Sequence, residues 1–297
     1  MEDFYYRRFL PKAEQDLLKK IEENIQDELL SSYWARGYRI RNDRLVSLSI
    51  NGRDPINRKL TDLPEEVCMA TELRSLNIGT NLIKKIPEDI GNLSKLISLF
   101  WGRNNLKSIP DGICNYQDAE VFELQNNEIN SIPKDIGNLK NLIDLSLGNN
   151  KLKSLPDSVG DIKDLIRLRI SYNNIAKLPD SIATLTKLRD LQYGDNKITE
   201  IPHWIGNLKN LNYLYLHDNK LDYIPEEIGL LENLKILDLR NNNLEEIPFT
   251  VLGKLKSLEE IYVDGNPFTI NYETKFKALI RLLPNLIYVD YHYLDYF

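Results

Sequence analysis

The fold is decided by residues 211–233, which read LNYLYLHDNKLDYIPEEIGLLEN. The same spacing of apolar residues, Asn and Pro continues in both directions from this stretch. Eight segments, each beginning 23 residues after the last, open on Leu73, Leu96, Ala119, Leu142, Leu165, Leu188, Leu211 and Leu234. A fixed period of about 20–30 residues is typical of a repeat architecture, in which each unit stacks on the next.

The shared frame is L-x-x-L-x-L-x-x-N-x-L-x-x-I/L-P-x-x-I-G-x-L-x-x. Its alternating apolar residues, such as Leu214 and Leu216, predict a short strand with one buried face. Such a strand is not stable alone, but stacked units pair their strands and join their apolar sides into one core. We therefore expect an α/β fold, a solenoid with a curved parallel β-sheet on the concave side and short 3₁₀, α or irregular turns on the convex side.

Two polar features of the frame end the strand and start the return path. The amide at position nine can donate to and accept from backbone groups of the turn, which predicts a buried ladder. Proline next to Ile or Leu fixes φ and cannot donate to a strand, so a short helical turn should follow it. The ladder residues are Asn81, Asn104, Asn127, Asn150, Asn173, Asn196, Asn219, Asn242 and Asn266.

We divide the chain into an N-terminal helical cap (1–44), repeats that resemble leucine-rich repeats (45–266, about ten coils) and a C-terminal cap (267–297). An amphipathic helix is predicted over residues 12–35, since apolar residues fall four apart there. They are Leu17, Ile21, Ile25, Leu29 and Tyr33. This helix should cover the open end of the first coil, although a docking helix for another protein is the alternative.

The frame is irregular near both ends of the repeats. An insertion of five residues lies within Asn51–Lys59, whose turn-forming polar residues predict a projecting loop. After Asn266-Pro267 the frame stops, and helical spacing is followed by a strand-like run, Pro284–Asp290. The residues at helical spacing are Phe276, Leu279, Ile280 and Leu283.

Composition excludes several classes of protein. The 297 residues are 42% apolar and carry 38 Lys+Arg against 44 Asp+Glu, a net charge of −6, so a general attraction to nucleic acid or anionic membrane is not expected. No stretch approaches the roughly 20 apolar residues of a membrane span. Cys68 and Cys114 occupy repeat positions where small apolar residues fit, which favours free buried thiols. We expect a cytoplasmic monomer.

The motifs of catalysis and cofactor binding are missing from the sequence. The spacing of the three histidines, His203, His217 and His292, does not match a zinc site. His217-Asp218 with nearby Asp195 and Tyr215 comes closest to an acid/base group, but a solvated binding face explains these residues equally well. We expect no catalytic residues, no cofactor and no metal.

What remains is the surface of the strands. Frame positions three, five and seven should point to the concave side, with position eight at its rim. Small polar residues such as Ser49 and Asn77 occupy them early in the chain, whereas Tyr and Arg, which are enriched at interfaces, cluster in the C-terminal half. The predicted partner-binding residues are Arg167, Arg169, Tyr172, Gln192, Asp195, Tyr213, Tyr215, His217, Asp238, Arg240 and Tyr262. The alternative is a solvated face whose tyrosines pack on neighbouring strands.

Other aromatic residues have different predicted roles. His203-Trp204 and Phe249-Thr250 replace acidic or small residues after the proline, which marks either a second contact on the convex side or side chains folded over a lateral groove. Trp101 and Tyr193 occupy frame position six, so we expect them to pack in the core.

The repeats resemble those of the Ras-group leucine-rich repeat proteins and of the Erbin and Scribble scaffold class, whose unit also carries I/L-P-x-x-I-G-x-L. The extracellular plant receptor unit has an extra L-x-G before I-P, which this chain lacks. The C-terminal pattern resembles the closing element of the phosphatase regulatory subunit and spliceosomal A-prime families. Its matching residues are Asn266, Pro267, Tyr272, Leu283, Pro284, Leu286, Val289 and Asp290, with Val289 in place of the usual Leu.

The resemblance implies a non-catalytic protein–protein interaction module or scaffold that binds a protein or peptide on its concave face. The alternative is a regulatory subunit acting on an enzyme partner in a GTPase or phosphatase pathway. An effector-type enzyme fragment is the least favoured interpretation. The repeat itself does not name the partner.

Overall fold

The computed structural model describes residues 7–25, 36–51 and 59–268, together with residues 281, 283, 285, 286, 288 and 289. The chain forms two compact units, which meet in sequence between Lys151 and Leu152. None of the helices among the described residues is long and apolar enough to cross a membrane.

The first unit begins with helix α1, Lys12–Ile25. Its apolar stripe is buried, with Leu17 and Ile21 both 0% exposed. Glu14, also fully buried, accepts hydrogen bonds from Nε of Arg44 at 2.8 Å and from the backbone N–H of Leu45 at 2.7 Å. The helix is therefore attached to the first coil. Residues 26–35, where the helix was predicted to continue, lie outside the described residues.

An antiparallel hairpin follows that the sequence analysis did not predict. Strand β1, Arg36–Arg41, pairs with β2, Arg44–Ile50, so β1 lies within the residues assigned to the N-terminal helical cap. Asn42 and Asp43 form the two-residue turn with φ of 51° and 56°. Two positive φ angles make the turn that matches the twist of a hairpin, and Asn and Asp tolerate that conformation better than most residues. The Asn42-Asp43 pair was the sequence signal for this hairpin turn, and it was missed.

The remaining strands of the first unit are parallel and in register, one per coil. They are β3 (Ser75–Asn77), β4 (Ser98–Phe100), β5 (Val121–Glu123) and β6 (Asp144–Ser146). The second unit repeats the pattern with β7 (Arg167–Arg169), β8 (Asp190–Gln192), β9 (Tyr213–Tyr215), β10 (Ile236–Asp238), β11 (Glu260–Tyr262) and β12 (Tyr288–Val289). Strand β12 agrees with the strand-like run predicted after Leu283, whereas residues 269–280 lie outside the described part of the chain.

A 3₁₀ helix returns the chain in most coils. The 3₁₀ helices are Glu65–Met69, Glu88–Asn92, Asp111–Asn115, Ile136–Asn138, Asp157–Asp161, Asp180–Thr184, His203–Asn207 and Glu226–Leu230. Seven of the eight start directly after the frame proline. The carbonyl oxygen of that proline accepts the hydrogen bond of the first turn, as from the N–H of Ile228 to the oxygen of Pro225 at 3.2 Å. The coil that is one residue longer forms a short α-helix instead, α2, Phe249–Leu252.

Frame leucines form the core of each unit, as predicted. Leu168, Leu191 and Leu214, at position four of successive coils, are at most 1% exposed. Trp101 and Tyr193 are also buried, at 0% and 2%. Cys68 and Cys114 are free buried thiols, and burial raises the pKa of each to about 11. The solenoid of parallel strands and short helical turns is confirmed.

The asparagine ladder is confirmed as well. Asn219 illustrates its geometry: Nδ2 lies 3.0–3.1 Å from the carbonyl oxygens of Tyr193, Leu216 and His217, and Oδ1 accepts from the N–H of Ile198 at 3.2 Å. One side chain thus satisfies backbone groups in two successive coils. The ladder residues are buried except Asn127 and Asn266, which are half-buried.

The N-terminal cap remains a prediction, and truncation tests it. Deleting residues 1–40 is expected to cause aggregation or loss of cooperative unfolding, because it uncovers apolar side chains and leaves β2 as an unpaired edge. Leu17→Asp should also cause aggregation or loss of cooperative unfolding, because it places a charge at a buried position. Lys19→Asp places the same charge at an exposed position and should have neither effect. Light scattering and thermal melting measure both effects. A truncated chain that stays monomeric with unchanged melting would instead favour a docking helix.

Candidate functional site

The predicted contact residues lie on the second unit, on the side of β7–β11 opposite the buried leucines, which we call the outward strand face. The strands are parallel and in register, so their side chains form columns about 4.8 Å apart. The central column contains Arg169, Gln192, Tyr215, Asp238 and Tyr262. The column beside it contains Arg167, Asp190, Tyr213, Ile236 and Glu260. The structure therefore brings together residues that are one repeat apart in sequence.

Tyrosines provide much of the accessible apolar surface of this face. Tyr172 is 58% exposed and Tyr213 is 37% exposed. Tyr215, between Gln192 and Asp238, is half-buried, and burial is the main cause of its raised pKa. Tyrosine exposes a large apolar ring and a hydroxyl at low cost in side-chain entropy, which suits a contact surface.

Arg240 is held in place by its neighbours. Its Nε and Nη2 donate to the two oxygens of Asp238 at 2.9 and 2.5 Å, and its guanidinium lies 4.9 Å from the ring centroid of Tyr262. The hydroxyl of Tyr262 donates to Oε2 of Glu260 at 2.7 Å. Asp238, which is among the predicted partner contacts, is only 1% exposed. It lies beneath Arg240 and orients it, because a buried carboxylate needs such a charged donor.

A second arginine is anchored at the other end of the face. Nε of Arg169 lies 3.3 Å from Oδ2 of Asp190, and the amide of Gln192 donates to the same oxygen at 3.2 Å. Asp190 is 8% exposed, while Arg169 and the neighbouring Arg167 are half-buried. The contact with Asp190 thus holds the guanidinium of the half-buried Arg169 at a defined position on the face.

Between the two arginines lies a cluster of Asp195, His217 and Asp218. Nδ1 of His217 is 2.9 Å from Oδ2 of Asp218 and 3.3 Å from Oδ2 of Asp195. The imidazole fits because Gly194 has no side chain, since a Cβ there would lie 2.4 Å from Nε2 of His217. From the sequence, these three residues were considered with Tyr215 as an acid/base group and were interpreted instead as polar residues of a binding face.

The charge of Asp218 affects the pKa of Asp195. Burial and the nearby Asp218 charge raise the pKa of Asp195, while His217 and a hydrogen bond from Tyr172 oppose the rise. The pKa of Tyr172 is raised in turn, chiefly by the Asp195 charge. The rim of the strand face is therefore a site of concentrated negative charge.

Frame position eight has a backbone conformation that the sequence analysis missed. Its residues have positive φ in nine successive coils, including 58° at Tyr172, 50° at Asp195 and 53° at Asp218. Asn, Asp and Gly occupy most of these positions, and they are the residues that adopt the left-handed region most readily. That preference was a readable signal. Thr80, Arg103 and Tyr172 are the exceptions, so the exposed ring of Tyr172 is displayed at some cost in backbone strain.

The convex candidates make contacts within the unit. Nε1 of Trp204 donates to Oδ1 of Asp180 in the preceding coil at 3.2 Å, and Nδ1 of His203 lies 2.9 Å from Oε2 of Glu227 in the following one. Trp204 and Phe249 are half-buried. These contacts agree with the interpretation that the aromatic side chains fold back over neighbouring coils.

Comparisons with known proteins agree with this architecture. No curated protein matches the sequence. Solved structures do: the plant peptide hormone receptor RGFR1 in complex with RGF2 is 26% identical over 77% of this chain and 41% of its own, with a TM-score of 0.64. The Arabidopsis receptor kinase HAESA, in complex with the peptide hormone IDA and the co-receptor SERK1, is 23% identical over 89% and 45%, with a TM-score of 0.69. The functional domain of InlJ from Listeria monocytogenes is 22% identical over 82% and 47%, with a TM-score of 0.67.

This chain spans less than half the length of each of these three solved chains. At 22–23% identity, HAESA and InlJ show a shared fold alone. The family model described as a leucine-rich repeat region matches residues 121–203 and 200–282. Because these residues make up more than half of the chain and coincide with coils that repeat the frame strand by strand, this chain belongs to the leucine-rich repeat family.

Proposed function

We propose that this chain is a non-catalytic interaction module that holds a peptide, or an extended segment of a protein, on the outward strand face of its second unit. The observation that carries the proposal is the row of Arg169, Tyr215 and Tyr262 on strands in register, with Arg240 just after β10 and over the ring of Tyr262. Asp190 and Asp238 hold the two guanidinium groups in place. A preorganised surface loses little conformational entropy on binding, so a few aromatic and arginine anchors can supply most of the affinity.

The structural relatives support a peptide as the ligand class. RGFR1, at 26% identity, is a peptide hormone receptor in complex with RGF2. The five strands β7–β11 present a surface roughly 20 Å wide, given a spacing of about 4.8 Å, which is enough for a peptide or one face of a small domain. A regulatory subunit acting on an enzyme of a GTPase or phosphatase pathway would use the same surface and differ in its partner.

We also propose the intracellular class of 23-residue repeats and a cytoplasmic location for a monomeric chain. The unit without the L-x-G insertion and the two free buried thiols support this assignment. Fractionation of the native host with an antibody to the chain tests it, and recovery from the extracellular or membrane fraction would contradict it.

The contact surface is tested with a defined probe. Peptides selected from a random library displayed on phage against the full chain are synthesised, and their Kd is measured by fluorescence anisotropy. Arg169→Ala combined with Tyr215→Ala should weaken these peptides at least about tenfold, because hot-spot truncations commonly cost about 2 kcal/mol or more. Circular dichroism and melting should stay close to the wild type.

The matched control is Ser49→Ala combined with Asn77→Ala, on β2 and β3 of the first unit, which should leave the Kd unchanged. The proposal is wrong if binding is lost with that pair instead. It is also wrong if binding is lost with Trp204→Ala and Phe249→Ala but not with the strand-face pair, or if no peptide binds with a Kd below about 100 µM.

A further inference from the structure

The cluster of Asp195, His217 and Asp218 has the donor atoms of a metal site. One imidazole nitrogen and two carboxylate oxygens lie within 4.8 Å of one another. Nδ1 faces both carboxylates, and with the ring proton on Nε2 it offers its lone pair to the space between them. The ligands come from two successive coils, one repeat apart, which is why no compact metal-binding motif appears in the sequence.

Two further observations indicate that the cluster can accept a cation. Oδ2 of Asp195 is shielded from solvent and, among the described residues, receives no hydrogen bond, although Nδ1 of His217 lies 3.3 Å away. A buried carboxylate oxygen without a donor is costly, and a metal ion supplies the missing charge. Gly194 is the second observation. Because it has no Cβ, the imidazole ring of His217 can lie directly against its backbone, in the orientation that faces the two carboxylates.

We propose that Asp195, His217 and Asp218 form a binding site for a divalent transition-metal ion of the zinc class. Bonds of about 2.0–2.2 Å to imidazole nitrogen and carboxylate oxygen place tetrahedral ligand atoms about 3.3 Å apart. The distances from Nδ1 to the two carboxylates, 2.9 and 3.3 Å, are close to this value before any adjustment. Imidazole with carboxylate suits zinc and its neighbours better than calcium or magnesium, which prefer all-oxygen sites.

Three protein ligands leave a coordination position for a fourth group. His217, Asp195 and Asp218 have side chains 18%, 28% and 43% exposed, so an ion held among them can be reached from outside the protein. Water, or a carboxylate or imidazole from a bound molecule, can complete the coordination. Metal binding here does not depend on whether the strand face binds peptides, so an experiment can contradict either proposal without contradicting the other.

Isothermal titration of the full chain with zinc chloride tests the site. We expect saturable binding of Zn²⁺, with Ca²⁺ and Mg²⁺ failing to compete at equal concentration. His217→Gln and the pair Asp195→Asn with Asp218→Asn should each weaken Zn²⁺ binding at least about tenfold, since each removes ligand capacity. Gly194→Ala removes no ligand atom but should also weaken binding about tenfold, because its Cβ displaces the ring.

The other two histidines are the controls. His203 also pairs with a carboxylate, Glu227 at 2.9 Å, but within the described part of the chain it belongs to no group of three ligands, so His203→Gln should leave the affinity unchanged. His292→Gln should also leave the affinity unchanged.

Histidine ring resonances in the NMR spectrum of the wild-type protein give a readout that does not depend on a variant folding. Co²⁺ should shift the resonance of His217 before those of the other histidines. The proposal is overturned if the wild type shows no saturable binding up to about 1 mM Zn²⁺, if His217→Gln binds like the wild type, or if His203→Gln or His292→Gln abolishes binding.

Discussion

Replacing Leu191 with alanine is expected to lower the free energy of unfolding by about 2–5 kcal/mol. Leu191 is 1% exposed and lies in register between Leu168 and Leu214 on the adjacent strands β7 and β9. Truncation removes apolar contacts with both neighbouring coils and leaves a cavity, because the backbone is held by strand pairing on either side and cannot collapse to fill it. Leu168→Ala should behave in the same way.

Denaturant titration followed by circular dichroism measures this change. Leu230→Ala is the matched control, since this leucine is 51% exposed and its removal should change stability by less than about 0.5 kcal/mol. If Leu191→Ala costs less than about 1 kcal/mol, frame position four is not the shared core contact that the register indicates.

Asn219→Ala is expected to cost about 1–3 kcal/mol, although it removes little apolar area. The Asn219 side chain pairs the carbonyl oxygens of Tyr193, Leu216 and His217 and the N–H of Ile198. Asn219 is 8% exposed, so alanine there leaves the N–H of Ile198 without its acceptor, and an unsatisfied buried group costs about 1–3 kcal/mol. The three carbonyl oxygens each lose one donor but keep another, from Asn196, Asn242 and the N–H of Asp195.

The comparison for this variant is Asn243→Ala, an exposed asparagine outside the ladder. Amide hydrogen exchange adds a local readout, because the N–H of Ile198 loses its acceptor and should exchange faster than in the wild type. Equal stability of the two variants would mean that water replaces the amide and that the ladder contributes little.

Much of the fold could be predicted from the period of the residues. Leu214 and Leu216, with their counterparts in other coils, predicted short strands, and both are buried in the structure. Pro225 predicted the turn that became Glu226–Leu230. These predictions succeed because each depends on local properties, namely side-chain alternation in a strand and the fixed φ of proline. The hairpin at Asn42-Asp43 had a local signal too, which was overlooked.

The candidate site was predictable in its position but not in its contacts. Frame numbering placed Tyr213, Tyr215 and Arg240 on the outward strand face, and the structure has them there. It did not indicate that Arg240 covers Asp238, because this depends on which rotamer a guanidinium adopts among several nearby acceptors. The tyrosine at position 172 gives no sign of its positive φ by itself, so the signal lay only in its frame position, which Asn, Asp or Gly occupies in most other coils.

The amino-acid sequence by itself determined the repeat length, the residues of the core and the Asn ladder, and the face on which the variable residues lie. These follow from the 23-residue period, because side chains alternate along each strand in the same way in every coil. The hydrogen bonds that the Asn amide makes to buried backbone groups also recur in every coil. Tertiary structure alone decided that the imidazole of His217 lies over Gly194 and faces Asp195 and Asp218. The physical reason is that such contacts join side chains of different coils, whose distances depend on strand register, on the missing Cβ and on rotamers rather than on spacing along the chain.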